Sequence, residues 1–458
     1  MVCEKIKNLR GESRRNFLRL TTAMGAALAL DQSEILNVIA DLGGTALAQD
    51  KKATAMRSIH FNAGNGGFAW FQLLWPHVEI AKGNNDNFAF HAFGQTQDAT
   101  DTDKPFVRTL EAPFWDLGPK KRMSAFMSGT NQTHTSTAAS AVTLNGGQGM
   151  IAAVAAIQRL NPSLLPVIAV EPFVFGAAQG APAVTTVGDA EGMVDLFNSA
   201  ASRLTLQVQE DAALFEAYYK AFVGLAKASS RPTVARQLRT GKSAANFLGQ
   251  NLASQLMPQQ MDLDRYGVTA GTPNRLSQIA RTLITTAKAF KLGLTNSVIL
   301  PAFRDDPHGA FQNMGNLQST VADMGRYLAE FHKDLETPDP LDANSLLSDN
   351  FVLTFHGDTP KNPRNRDGWP DGTPNNSNWL YVFGNGYLKT GWFGRITPNE
   401  VYGWDPTTGQ DVLDQASSMT SASASAAVLF AVTKGDMNRV KDFYNGPAID
   451  GVVNASVL

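Results

Sequence analysis

The 458-residue chain has a single cysteine, Cys3, so everything after its first residues lacks both a disulfide and a thiolate ligand. Any metal site must then be built from carboxylate and imidazole. Histidine is scarce as well: His60, His77, His91, His134, His308, His332 and His356 are the seven addresses at which imidazole chemistry can occur. An excess of either charge is missing too. Thirty-nine Lys and Arg stand against 41 Asp and Glu, a net charge of −2, and no clustered basic face argues for a nucleic-acid partner. No run beyond residue 48 is long and apolar enough to span a bilayer as a helix, which leaves no transmembrane segment in that part of the chain. What the chain does have is apolar content, 43% of its residues. A chain of this length can build its core from that without covalent staples.

The N-terminus carries an export pattern. Ser13-Arg14-Arg15-Asn16-Phe17-Leu18-Arg19 places two adjacent arginines before an apolar pair, as a twin-arginine signal requires. The stretch from Leu20 to Leu30 is weakly apolar, and Ala46-Leu47-Ala48 offers a small-x-small cleavage site before Gln49. Residues 1–48 are therefore read as a twin-arginine signal peptide, and the rest as a periplasmic or extracellular protein. Asp31, Glu34 and Asp41 intrude before the cleavage site, so the pathway is better specified than the cut. The alternative is a basic amphipathic helix on a cytoplasmic protein, which does not account for three export features in the right order.

Further on, apolar runs of strand length alternate with helical periodicity. Strands are expected at Arg57 to Asn62, Met123 to Met127, Leu164 to Val170, Asn296 to Leu300, Asn350 to Phe355 and Trp379 to Phe383. Helices are expected at Gly147 to Leu160, Ser277 to Lys291 and Leu317 to Leu335. Residues 191–261 read as helical throughout, so a helical insertion or layer at about 190–290 is expected within one domain, 49–458. The alternation implies an α/β fold, a central and mostly parallel sheet with helices on both faces. Strands that end near Asn62, Ser128, Phe303 and His356 each run into a polar or glycine-rich loop. Ligand-facing strand ends behave this way, and the four are expected on one sheet edge. The segment from Gly357 to Asn378 carries Pro360, Pro363, Pro370 and Pro374. A loop of that length inside a compact domain is either functional or merely exposed.

Two constellations could carry chemistry. Arg304-Asp305-Asp306-Pro307-His308 follows an apolar strand, and its two carboxylates and imidazole suit a divalent ion; a plain strand-end turn needs none. Thr130 to Ser140 holds six hydroxyl residues around His134. It could place a Ser or Thr Oγ at a helix start, where unpaired N–H groups favour an anion, or simply cap that helix. His60 and His91 are read as satisfied core histidines, and His332 as a surface or packing residue.

Together these pieces resemble a family of exported bacterial proteins, domain of unknown function 1501, related to the alkaline-phosphatase and sulfatase superfamily. The most specific pieces are Thr359-Pro360-Lys361-Asn362 with Arg366-Asp367-Gly368-Trp369-Pro370, and Asp305-Asp306-Pro307-His308 followed by Gln312 and a long helix. The resemblance implies an alkaline-phosphatase-like fold. It also implies a site for one divalent metal (Zn, Mn, Mg or Ca) held by Asp305, Asp306, His308 and Asp367. Thr137-Ala138-Ala139-Ser140-Ala141 resembles the stretch around that superfamily's nucleophile, which implies Thr137 as nucleophile with Ser136 beside it. Gly368 stands where the family has its second histidine, and His356 or His134 is the imidazole within reach of replacing it. Arg304, Arg364 and Arg366 could instead neutralise the carboxylates as an ion-pair network. The expectation is a non-catalytic binding or assembly protein with a degraded metal site; the alternative is a metal-dependent phosphate- or sulfate-ester hydrolase. Replacing Arg14 and Arg15 by Lys should leave unprocessed protein in the cytoplasm on fractionation, whereas normal export of that variant would remove the twin-arginine reading.

Overall fold

The computed structural model describes residues 53–62, 96–99, 103–104, 106–109, 123–128, 142–172, 175–201, 252–301, 314–356, 379–396, 401–413 and 415–457. The chain forms two compact units, one of residues 51–190 with 258–458 and one of 1–50 with 191–257. The strands are β1 (Arg57–Asn62), β2 (Thr96–Ala99), β3 (Phe106–Thr109), β4 (Met123–Met127), β5 (Leu165–Val170), β6 (Thr185–Val187), β7 (Thr295–Leu300), β8 (Pro338–Asp339), β9 (Asp342–Leu346), β10 (Phe351–His356), β11 (Trp379–Phe383), β12 (Gly391–Phe393), β13 (Arg395–Ile396), β14 (Val401–Trp404) and β15 (Asp411–Leu413). The helices are α1 (Met150–Gln158), α2 (Ala190–Ala201), α3 (Leu252–Leu256), α4 (Gln260–Tyr266), α5 (Asn274–Lys291), α6 (Met314–Asp334), α7 (Ser417–Val432) and α8 (Met437–Val440). In the smaller unit, α2 from Glu191 onward buries Met193, Val194 and Phe197, and α3 buries Leu252 and Leu256.

The larger unit is organised by one eight-stranded sheet in the order β12-β4-β11-β10-β1-β7-β5-β6. β1 lies between β10 and β7 and is parallel to both, with His60 opposite Thr354 and Ser58 opposite Ser297. β5 is parallel to β7 and to β6, and β12 is parallel to β4. β11 is antiparallel to both its neighbours, β10 and β4. Every strand but β11 therefore points the same way. As expected from the loops that follow them, the carboxyl ends of β1, β4, β7 and β10 share one edge. The α/β class is what the sequence alternation implied.

Side chains alternate across the sheet, and the register assigns them to two faces. Ser58, His60, Ser297, Thr354 and His356 share the face covered by α1 and α7. Ser58 Oγ bonds Gln158 Oε1 of α1 at 3.1 Å and Ser297 Oγ at 2.9 Å, and α7 packs against α1, β4 and β10. Arg57, Phe61, Phe351 and Phe355 share the other face, covered by α5 and α6. There Phe61 and Phe355 stack at 4.3 Å, and Phe331 of α6 meets Phe351 edge-on at 6.0 Å.

The helices on the two faces differ in kind. In α5, Leu276, Ile279, Ala280, Leu283, Ile284, Ala287 and Phe290 are buried at helical spacing, with Thr282, Thr285 and Thr286 buried beside them, while the charged Arg275, Arg281, Lys288 and Lys291 stay partly exposed. In α1 nearly every residue is buried, and in α7 even Thr420, Ser421, Ser423 and Ser425 are. Such all-round burial marks an inner helix, and the Ser and Ala side chains of α7 let it lie close to its neighbours. The Ser- and Ala-biased stretch at Ser417 is thus a core helix.

Hydrogen bonds fix the entry to β1. Asn161 Oδ1 accepts from the backbone N–H groups of Thr54 and Ala55 at 3.0 and 3.1 Å, and Asn161 Nδ2 donates to the Met56 carbonyl at 2.9 Å. Gln158 donates to the same carbonyl. These bonds tie the first residue of β1, Arg57, to the end of α1.

Arg57 is fully buried and donates to Asp339 Oδ1 at 3.1 Å. It also donates to the Ala55 carbonyl. Asp339 further accepts from Asn350 Nδ2 at 2.6 Å and from the Leu341 N–H at 2.8 Å. Burial lowers the Arg57 pKa and Asp339 opposes that shift, so the pair holds its charges together at the amino end of the sheet. Removing one partner leaves a buried, uncompensated charge, which costs about 3–5 kcal/mol. Asp339→Ala should lower the urea unfolding free energy by that order, and the double change Arg57→Met with Asp339→Leu should cost much less. A single variant as stable as the wild type would show that the pair does not anchor β1.

Candidate functional site at the carboxyl edge of the sheet

The shared edge is where the chain leaves β1, β4, β7 and β10. The connection after β4 contains His134, Ser136 and Thr137. The one after β7 contains Arg304, Asp305, Asp306 and His308, and the one after β10 contains Arg364, Arg366, Asp367 and Gly368. These residues lie outside the described residues, as do the glycines after β1, Ala63 to Gly67. What the fold contributes is the origin of the four connections. β10, β1 and β7 are adjacent strands, and β4 is separated from β10 only by β11.

His356 is the member of the expected site that the structure describes. It is the last residue of β10 and is 1% exposed, and neither ring nitrogen has a hydrogen-bond partner among the described residues. Burial lowers its pKa from 6.5 to about 3, so the imidazole is neutral with an open lone pair. His60 on β1 shares its sheet face. His60 Nδ1 lies 2.7 Å from Thr354 Oγ1, while Nε2 has no partner among the described residues. Its pKa is also lowered to about 3, first by burial and then by His356. His60 is therefore a core histidine as expected, yet only half satisfied. Nothing local in Arg57-Ser58-Ile59-His60-Phe61-Asn62 signals this, because the second imidazole comes from a strand almost 300 residues away. His332, expected to be a surface or packing residue, is a buried packing group in α6. Its ring faces Phe351 at 6.1 Å, and Nδ1 lies 3.3 Å from Glu336.

The helices add to the character of this edge. α1 lies between β4 and β5 in the chain, and its first residues follow Thr143, which exchanges hydrogen bonds with Ser421 of α7. In α5, Arg275 of the first turn pairs with Glu171, the residue directly after β5, at 2.6 Å. The amino ends of α1, α5 and α7 thus sit toward the carboxyl ends of the strands. None has a side-chain cap, so their first N–H groups are left without that common partner. Gly149 at the start of α1 crosses the backbone of Gly176, and a Cβ there would lie 3.1 Å from the Phe175 carbonyl. A side chain there would force the facing backbone to shift by a few tenths of an ångström. Glu171 holds a left-handed backbone at φ 80°, with its N–H donated to Val187. Non-glycine residues in that region carry strain that collects at functional sites.

Among the described residues, no group of three or more His, Cys, Asp or Glu side chains is placed to hold a metal. No family model, curated protein or solved structure matches the chain.

The two buried imidazoles make the metal-free protein acid-sensitive. Their folded pKa values lie below the unfolded value, so the folded state resists protonation. Stability is complete above about pH 6.5 and is lost as pH falls toward 3. At about pH 4.5 the loss is on the order of 2–3 kcal/mol per histidine. In chelator-treated protein, urea midpoints should fall between pH 6.5 and 4.5, and the fall should be shallower in His60→Gln. Identical pH slopes for the two proteins would contradict the assignment.

Proposed function

We propose that the chain is an exported protein of alkaline-phosphatase-like architecture that binds its ligand at the carboxyl edge of the sheet, as a binding or assembly protein rather than an enzyme. The observation that carries this reading is the common edge of β1, β4, β7 and β10, with β10 ending in a neutral, unpartnered imidazole. Crevices outside the carboxyl ends of parallel strands are where α/β sheets hold ligands. The order of motifs along the chain supports the family resemblance, and the run around Arg14 and Arg15 supports export to the periplasm or beyond.

One divalent ion fits the donors this chain has. His356 supplies an open nitrogen, and Asp305, Asp306, His308 and Asp367 are the residues that would join it; nitrogen and carboxylate together suit Zn²⁺ or Mn²⁺ better than Mg²⁺ or Ca²⁺. Gly368 removes the imidazole on which a second ion of the family kind would depend, which is why binding is preferred to catalysis. The uncapped start of α1 favours the second reading, hydrolysis of phosphate or sulfate esters. The Gly149 and Met150 N–H groups are taken by the Ala177 and Val142 carbonyls, so what this helix start offers an anion is the positive end of its dipole, and Thr137, with Ser136 beside it, offers a hydroxyl in the segment leading to that helix. A bound ion would supply charge stabilisation at the ester oxygen.

Melting the mature protein with chelator and then with Zn²⁺, Mn²⁺, Mg²⁺ or Ca²⁺ tests the metal. Chelation should lower Tm, Zn²⁺ or Mn²⁺ should restore it, and His308→Ala should abolish the response. If chelator has no effect and Arg366→Ala destabilises far more than His308→Ala, the carboxylates are held by an ion-pair network instead. Turnover of aryl phosphate or sulfate that disappears in Thr137→Ala would replace the binding reading by the hydrolase.

A further inference from the structure

We infer that His60 and His356 form a two-imidazole half-site for a nitrogen-preferring divalent ion, with His60 taking the place of the imidazole that Gly368 lacks. This rests on the metal reading above and adds to it a ligand from β1, a strand in which the motif pattern places none.

The geometry is the argument. His60 is opposite Thr354 in register and His356 is two residues further on, so the histidines are diagonal neighbours on one face of parallel strands. With strands ~4.8 Å apart and ~3.3 Å of rise per residue, their Cα atoms are about 8 Å apart. Two imidazoles turned toward each other across that span can reach one ion at ~2.0–2.1 Å per nitrogen. Both rings are buried, and among the described residues three of their four nitrogens have no hydrogen-bond partner. Buried polar atoms left open in this way are rare and call for an unseen partner. The fourth nitrogen, His60 Nδ1, sits 2.7 Å from the Thr354 hydroxyl. When Nδ1–H donates there, the tautomer is fixed and Nε2 presents a lone pair. Metal-binding histidines are oriented by this kind of outer hydrogen bond.

The chemistry also selects the ion. A neutral imidazole pair favours Zn²⁺, Co²⁺, Ni²⁺ or Cu²⁺ over Mg²⁺ and Ca²⁺, which take oxygen. Because the described residues bring no third ligating side chain to the pair, the ion needs the carboxylates of the neighbouring connections or water to complete its shell. Access is from the carboxyl edge, since His356 is the last residue of its strand.

The test titrates Zn²⁺ and Co²⁺ into chelator-stripped mature protein. It reads stoichiometry, Co²⁺ visible absorption and X-ray absorption at the zinc edge. One bound ion per chain is the expected result, with three imidazole nitrogens: His60 added to His356 and His308. His60→Gln should remove one of the three and weaken Zn²⁺ by more than the ~10–100-fold typical of losing an outer partner. Thr354→Val keeps both ligands and should weaken binding less, which guards against a His60 variant that fails to fold. Zinc bound with two imidazoles, unaffected by His60→Gln but lost in Asp305→Asn, overturns this inference and leaves the proposed metal site standing. No zinc binding by the wild type overturns both.

Discussion

The arrangement depends on β1 being hydrogen-bonded in parallel on both sides, to β10 and to β7. A parallel pair cannot be closed by a tight turn, so each neighbour must return through a crossover before running alongside β1 again. That requirement delivers the connections after β1, β7 and β10 to the same edge, and it buries both faces of all three strands. The amino end of β1 is held from both sides: Asn161 and Gln158 bind the backbone before it, and Asp339 binds Arg57. With its start fixed, the register along β1 places His60 beside Thr354 and within reach of His356. The two ends of the strand do different work. One carries a buried ion pair that pins it, and toward the other His60 stands beside Thr354 and diagonal to His356.

The contrast between the two sheet faces follows from what covers them. Toward α5 and α6 the strands present Phe61, Phe351, Phe355 and Leu353, an apolar face closed by amphipathic helices. Toward α1 and α7 they present Ser58, Ser297, Thr354 and the two histidines, under helices that are themselves buried all round. Polar groups in such a layer are tolerated when each finds a partner. Ser58, Ser297 and Gln158 do, as do Ser421 and Ser423. Among the described residues, His60 Nε2 and both His356 nitrogens lack a partner in this layer, as does Ser425 Oγ of α7; the histidines differ in lying near the edge where the connections leave.

Much of the sheet was legible because its strands are short apolar runs ended abruptly by polar or glycine-rich segments. Arg57–Asn62, Met123–Met127 and Trp379–Phe383 were read to the residue, and β5, β7 and β10 within one, while the three-residue strands β6 and β12 were not read. Strand direction was not legible: Trp-Leu-Tyr-Val-Phe looks the same either way, and β11 runs opposite to the rest. The hairpin β8–β9 was invisible because Asp-Ala-Asn-Ser-Leu has neither alternation nor β-branched residues. Yet it brings Asp339 to Arg57, across 282 positions. His60 was read as a satisfied core histidine, since one imidazole on an apolar strand usually is. Its open Nε2 depends on register with β10, which no local pattern encodes. The carboxylate and hydroxyl motifs were legible only as sequence, and the fold supplies the edge from which their segments depart.

The central claim is that the carboxyl edge of the sheet is the ligand-binding side of this protein, and hydrogen exchange read by mass spectrometry addresses it most directly. The mature protein would be compared with and without saturating Zn²⁺. The account predicts slowed exchange concentrated in peptides at the carboxyl ends of β1, β7 and β10 and in the connections that follow them, with the β8–β9 hairpin unchanged. Slowed exchange at the amino end of the sheet, or none at the carboxyl edge under conditions where zinc is bound, would contradict it.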